Sequence, residues 1–137
     1  MKILFLSRWF PFPTSNGSKL RIYNLLRGLS AEHEVHLLSF SDAPKNAQIA
    51  EMETLCKTVK AVQWREFHPN SLKAVLGMLN AKPRSLVDTY SVEMENEIHQ
   101  CLATEKFDLI ITTQWQMTVY RKLFVDIPVL YEEIEVG

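Results

Sequence analysis

Hydrophobic positions fall into short continuous runs separated by segments of helical spacing. Lys2–Leu6 is apolar after its lysine, Glu34–Phe40 reads Glu-Val-His-Leu-Leu-Ser-Phe, and Asp108–Thr112 reads Asp-Leu-Ile-Ile-Thr. Runs of this length predict strands buried on both faces, as in a parallel sheet covered by helices. Two further strands are predicted over Thr58–Trp64, rich in β-branched and aromatic residues, and over Pro128–Glu132. Between them the spacing predicts helices at Lys19–Ala31, Gln48–Cys56, Leu72–Leu79, Tyr90–Thr104 and, more briefly, Met117–Leu123. Pro83 ends the third of these, and Ser85–Asp88 is read as a connection. Strands alternating with helices predict an α/β fold: a Rossmann-like open parallel sheet of about five strands, with helices on both faces and right-handed crossovers.

Open parallel sheets bind ligands outside the C-terminal ends of their strands, at the point where strand order reverses. That rule selects Ser7–Lys19, Ser39–Pro44, Trp64–Asn70, Thr112–Gln116 and Glu132–Gly137. The first stretch carries most of the candidate chemistry. Pro11 and Pro13 bar regular structure, Asn16-Gly17 is a turn signal, and Ser18 is the expected helix cap. Gly17 and Ser18 have two readings: backbone N–H donors to a phosphate at a helix start, or a turn and a cap with no ligand. Arg8, Lys19 and Arg21 are the basic candidates: Arg8 directly follows the first strand, in a position to point at a ligand, whereas position alone favours Lys19 and Arg21 as solvated surface groups. Trp9 and Phe10 either line an acceptor groove or pack the loop onto the sheet. Trp115, flanked by two amides, suits a mixed polar and apolar ligand or a hydrophobic lid. Glu132, Glu133 and Glu135 follow the last strand, and paired carboxylates there divide acid and base roles only if their environments differ.

Composition narrows the classes. The chain has 137 residues, a size for one domain, with 47% apolar residues and a net charge of -1. No long basic run points to nucleic acid. Cys56 and Cys101 fit reduced thiols, and neither they nor His33, His36, His68 and His99 have metal-ligand spacing. No apolar stretch is long enough to span a bilayer. A cytoplasmic location follows as the expectation, with peripheral contact at the inner face of a membrane left open. There is no GxGxxG, GxxxxGK[ST] or GxSxG run, so the usual dinucleotide, P-loop and acyl-hydrolase signatures are missing.

Lys2-Ile-Leu-Phe-Leu-Ser, the stretch from Asn16-Gly17 to Arg21-Ile-Tyr-Asn-Leu-Leu26, and the strands Asp108–Thr112 and Pro128–Glu132 together resemble the N-terminal domain of a retaining GT-B glycosyltransferase. More narrowly, the pattern is similar to glycosyltransferase family 4. The resemblance implies transfer of a sugar from a nucleotide diphosphate donor to a saccharide, lipid or small-molecule acceptor, without a cofactor and in general without a metal. It implies two Rossmann-like domains around one cleft, the first on the acceptor side. Gly17 then matches the second glycine of a pair near the donor phosphates, and Asn16 stands in place of the first. The Asp-x-His pattern that the family carries after its fifth strand is matched by Glu132-Glu133-Ile134, which keeps an acid as candidate catalytic group and lacks the histidine. Asn16, Gly17 and Ser18 are accordingly the phosphate-proximal candidates. Arg8, Trp9, Phe10, Lys19, Arg21, Trp115, Glu133 and Glu135 are the acceptor or cleft candidates. The donor-binding domain of such an enzyme has no counterpart within residues 1–137, so the expectation is a part of a longer enzyme that does not turn over alone. The competing expectation is a standalone Rossmann-like binding or interaction module without catalysis. A flavodoxin-like domain fits less well, because Ser7-Arg8-Trp9 offers neither a tight phosphate loop nor a phosphoacceptor aspartate.

Overall fold

A computed structural model describes residues 1–41, 46–63, 91–113 and 115–132. Five strands form one parallel sheet: β1 (Lys2–Ser7), β2 (Glu34–Ser41), β3 (Thr58–Gln63), β4 (Leu109–Thr113) and β5 (Val129–Glu132), in the order β3-β2-β1-β4-β5. The helices among the described residues are α1 (Gly17–Ser30), α2 (Asn46–Glu53), α3 (Val92–Thr104) and a 3-10 helix over Trp115–Leu123. The chain builds outward from β1 to β3, then returns to the other side of β1 for β4 and β5. Right-handed crossovers running in opposite directions place their helices on opposite faces.

The alternation along each strand divides the core accordingly. Leu4, Leu6, Leu38, Phe40 and Ile110 pack with Met94 and Ile98 of α3 and with Met117 and Tyr120 of the 3-10 helix. Ile3, Phe5, Val35, Leu37 and Ile111 pack with Ile22 and Leu26 of α1 and with Met52 and Cys56. Both faces of β1 are therefore dry, which is why its sequence is an apolar run rather than an alternation. Burial pushes the Cys56 thiol up to about 11. Cys56 and Cys101 are free thiols.

Several predicted boundaries move. α1 starts at Gly17 rather than Lys19, and α2 starts at Asn46 rather than Gln48 and closes before Cys56. The sequence assigns the cap of α1 to Ser18, but the cap is Asn16, whose Oδ1 accepts a hydrogen bond from the Lys19 N–H at 2.9 Å. Ser18 lies inside the first turn and is buried. Ser91 caps α3 by accepting from the Met94 N–H at 3.1 Å, and its own N–H donates to the buried Tyr120 hydroxyl at 3.0 Å. The short helix predicted over Met117–Leu123 is the 3-10 helix and starts earlier. The predicted helix Leu72–Leu79, the connection Ser85–Asp88, Trp64 and Tyr90 lie outside the described residues. Among the described residues, no helix is long and apolar enough to cross a membrane.

Candidate functional site

Strand order reverses between β1 and β4, so the ends of these strands and their flanking loops form the rim where a ligand would sit. The rim is tied together by short polar contacts. The Thr113 hydroxyl donates to Ser7 Oγ at 3.2 Å, joining the end of β4 to the end of β1. Ser7 Oγ in turn donates to the Trp9 carbonyl at 2.7 Å and accepts from the Trp9 N–H at 3.2 Å. Ser7 thus folds the chain back at the end of β1 and fixes where Trp9 stands.

Arg21, in the first turns of α1, reaches Glu132 at the end of β5. Its Nε donates to Glu132 Oε1 at 3.1 Å and its Nη2 donates to the same oxygen. The pair spans 111 residues of sequence and closes the rim on the β5 side. Arg21 is well exposed and Glu132 is half-buried, so the contact fixes orientation more than it adds stability.

On the β2 side the loop after β1 forms a pocket of about 240 Å³. Arg8, Trp9 and Phe10 line it from the loop, with Phe12 and Pro13 beyond them. Lys19 of α1, Ser41 at the end of β2 and Gln48 of α2 complete the lining. Arg8 is buried, its guanidinium carbon lying 4.3 Å from the centre of the Trp9 ring. The Lys19 ammonium is 5.9 Å from the same ring and 3.5 Å from Ser15 Oγ. Trp9 is thus within cation–π range of two cations. Its indole Nε1 is buried and has no hydrogen-bond partner among the described residues. Phe10 is almost wholly buried in the core on the α1 face while still forming part of the pocket floor. Phe10 thus packs the loop onto the sheet and also borders the cavity.

The predicted residues therefore separate into two neighbourhoods. Arg8, Trp9, Phe10 and Lys19 come together in the pocket, and Arg21 and Glu132 meet at the rim. Asn16 and Gly17 are exposed at the start of α1, outside the pocket lining. The turn reading of Asn16-Gly17 is not needed: Asn16 is extended at φ -144°, and among the described residues no glycine has a positive φ. A Cβ added at Gly17 would meet nothing within 4 Å. Trp115 opens the 3-10 helix; Glu133, Glu135 and Ile134 lie outside the described residues. Among the described residues, no three His, Cys, Asp or Glu side chains are grouped so as to hold a metal ion. Phe12, Ser41 and Gln48 were not marked individually by their sequence context. Ser41 falls in a strand-end stretch, the one available signal, and nothing local distinguishes Gln48 from any polar residue of an amphipathic helix.

No family model matches the chain, and no curated protein does. Among solved structures, the chain is similar to two of the C-terminal domain of the PF1911 hydrogenase from Pyrococcus furiosus. The TM-scores are 0.57 and 0.59 at 16% and 15% identity, over 96% of this chain and 90% and 89% of those chains. At that identity the likeness carries the fold alone. It agrees with a Rossmann-like domain, a class that binds ligands at the strand ends described above.

Proposed function

We propose that this chain is the acceptor-side, N-terminal Rossmann-like domain of a GT-B glycosyltransferase. It serves transfer of a sugar from a nucleotide diphosphate donor to an acceptor hydroxyl. The observation that supports this reading most is the Arg21–Glu132 pair, which joins the start of α1 to the acidic end of β5 across the switch point. A helix start favours phosphate through its unpaired N–H groups and dipole. An acidic group on the same rim suits a sugar or acceptor hydroxyl. One cleft thus offers a place for each half of the reaction.

In this reading Asn16, Gly17 and Ser18 stand near the donor diphosphate, and Glu132 is the candidate catalytic group, held in place by Arg21. Arg8, Trp9, Phe10 and Lys19 form the acceptor pocket. A second domain supplies the remaining contacts to the nucleotide. The chemistry asked of this chain is orientation of the acceptor and stabilisation of charge on the departing diphosphate.

The test is sugar transfer by the natural polypeptide that carries these residues, with a panel of nucleotide diphosphate sugars and a cell extract as acceptor source. Transfer is expected, and Gly17→Val is expected to lower kcat/KM by roughly tenfold or more, about the loss of one charge-assisted contact. The Cβ has open space around it, so a loss in a folded variant reports on the ligand and not on packing. Absence of transfer across the whole panel would leave the chain a binding module without catalysis.

A further inference from the structure

At the N-terminal ends of the strands, away from the candidate site, a carboxylate, an imidazole and a hydroxyl stand in line. His36, near the start of β2, is 3% exposed. Its Nε2 lies 2.8 Å from Glu34 Oε1, and its Nδ1 lies 2.8 Å from the Thr58 hydroxyl oxygen. The sheet itself makes this line. Glu34 and His36 are two apart on β2 and share a face, and Thr58 is the β3 residue in register with His36. The buried Phe107 ring meets the imidazole edge-on, with centroids 5.2 Å apart and planes at 84°. That contact packs the imidazole from a further side.

The chemistry has a direction. A carboxylate can only accept, so Nε2 donates to Glu34, and in the neutral ring Nδ1 keeps its lone pair toward the Thr58 oxygen. The hydrogen bond from His36, and then the nearby Lys57 and Lys2 ammonium groups at 3.6 and 3.8 Å, hold the Glu34 carboxyl below its ordinary value. Glu34 therefore stays ionised and stabilises the imidazolium that forms when Nδ1 takes a proton. A weak hydroxyl nucleophile is activated in this way, by a base within reach that a third group orients. Thr58 is exposed at the start of an edge strand, whereas His36 is buried. A reagent arriving from solvent meets the hydroxyl and not the imidazole.

We infer that Thr58 is a covalent modification site whose hydroxyl accepts an acyl group from an activated ester or thioester, with His36 as general base and Glu34 as its positioning residue. In the step, Thr58 Oγ1 bonds to the acyl carbon and its proton passes to His36 Nδ1. The bond from that carbon to the leaving oxygen or sulfur breaks, and the leaving group departs with the electron pair. His36 then returns the proton to the leaving group or to water, and nothing is oxidised or reduced. The inference does not depend on the glycosyltransferase reading.

The test is incubation of the protein with p-nitrophenyl acetate at about pH 8, where an ordinary imidazole is neutral. Samples are stopped with acid at intervals and the acetylated positions mapped by peptide mass spectrometry. Cleavage by hydroxylamine distinguishes a threonine ester from a lysine amide. Thr54 and Thr104 serve as internal standards, both exposed, with hydroxyls that donate to the Glu51 carbonyl at 2.6 Å and the Gln100 carbonyl at 2.9 Å. Thr58 is expected to be acetylated about a hundredfold faster than either, the low end of what a positioned base contributes. His36→Gln is expected to bring Thr58 down to the rate of the standards. Glu34→Gln is expected to slow it about tenfold or more, as for loss of a hydrogen bond to a charged group. Thr58→Ser should keep the fast site, and Thr58→Val should remove it. Circular dichroism checks folding; should the buried His36 variant not fold, Glu34→Gln, at a half-buried position, decides alone. A Thr58 rate equal to that of the standards, or a rate unchanged in either folded variant, overturns the inference.

Discussion

Removing the Asn16 side chain leaves the Lys19 N–H without its acceptor at the open end of α1. Losing such a cap costs about 1 kcal/mol, so Asn16→Ala should lower the midpoint of chemical denaturation by that equivalent, while Asn16→Asp should retain most of it. The measurement is urea unfolding followed by far-ultraviolet circular dichroism, and equal midpoints for Asn16→Ala and the wild type would show that the cap contributes nothing. The location of this cap was only half legible. Asn16 and Ser18 are both good capping types, and the residues three positions on are Lys19 and Arg21, so no glutamate marks a capping box for either. What decides is burial of Ser18 against the body of the domain, a tertiary fact. Trp9 teaches the same lesson. Its type and its neighbours are visible in the chain, but the hydrogen bonds between Ser7 and Trp9 that turn the backbone there determine which cations it meets.

At the scale of elements, α3 and the 3-10 helix together cover one face of the sheet, and α3 does so with Met94 and Ile98, both fully buried. Ile98→Ala should destabilise the chain by roughly 2–5 kcal/mol through lost transfer free energy and the cavity left behind. Val92 stands on the same helix with 60% of its surface exposed; Val92→Ala should stay within about 0.5 kcal/mol of the wild type. Comparing the two by denaturant unfolding separates packing from helix propensity, and similar losses for both would mean that α3 is not seated as described. These elements were the most legible feature of the chain. An apolar run too short for a helix, repeated between amphipathic segments, has few solutions other than a covered parallel sheet. Element ends were less so, because the last residues of a helix are fixed by caps and neighbours rather than by periodicity.

For the whole molecule, the two ends of the sheet have different electrostatics. At the end opposite the candidate site, the Lys2 ammonium donates to Glu105 Oε2 at 2.6 Å and lies 3.8 Å from Glu34. The Glu34 carboxylate can only accept, so His36 Nε2 donates to it at 2.8 Å, and His36 Nδ1 lies 2.8 Å from the Thr58 hydroxyl. The hydrogen bond from His36 holds the Glu34 carboxyl below its ordinary value, and the Lys2 hydrogen bond does the same for Glu105. A depressed carboxyl pKa contributes stability that is present above the unfolded value, about 4.3, and is lost as pH falls through the folded value. Tm should therefore fall as the solution is acidified through this range, and less steeply in Lys2→Met, which frees Glu105 of its partner. Parallel Tm–pH curves for the two proteins would show that the Lys2 contact carries none of the dependence. This network was illegible beforehand. Lys2, Glu34 and Glu105 are far apart in sequence and meet only because β1 pairs with β2 on one side and β4 on the other. The Arg21–Glu132 contact and the split of the candidate residues into pocket and rim depend on strand order in the same way.

That strand order also sets a timetable for the growing chain. β1 is made first, and Ile3 finds its β2 partner Val35 soon afterwards, but its other partner, Leu109, comes 106 residues after it. At synthesis rates of 5–20 residues per second, one edge of β1 waits roughly 5–20 s for its neighbour. During that interval the row of unpaired backbone groups on β1 is an invitation to any other extended segment. A nascent β1–β2 pair is therefore the species that a holding chaperone would have to shield.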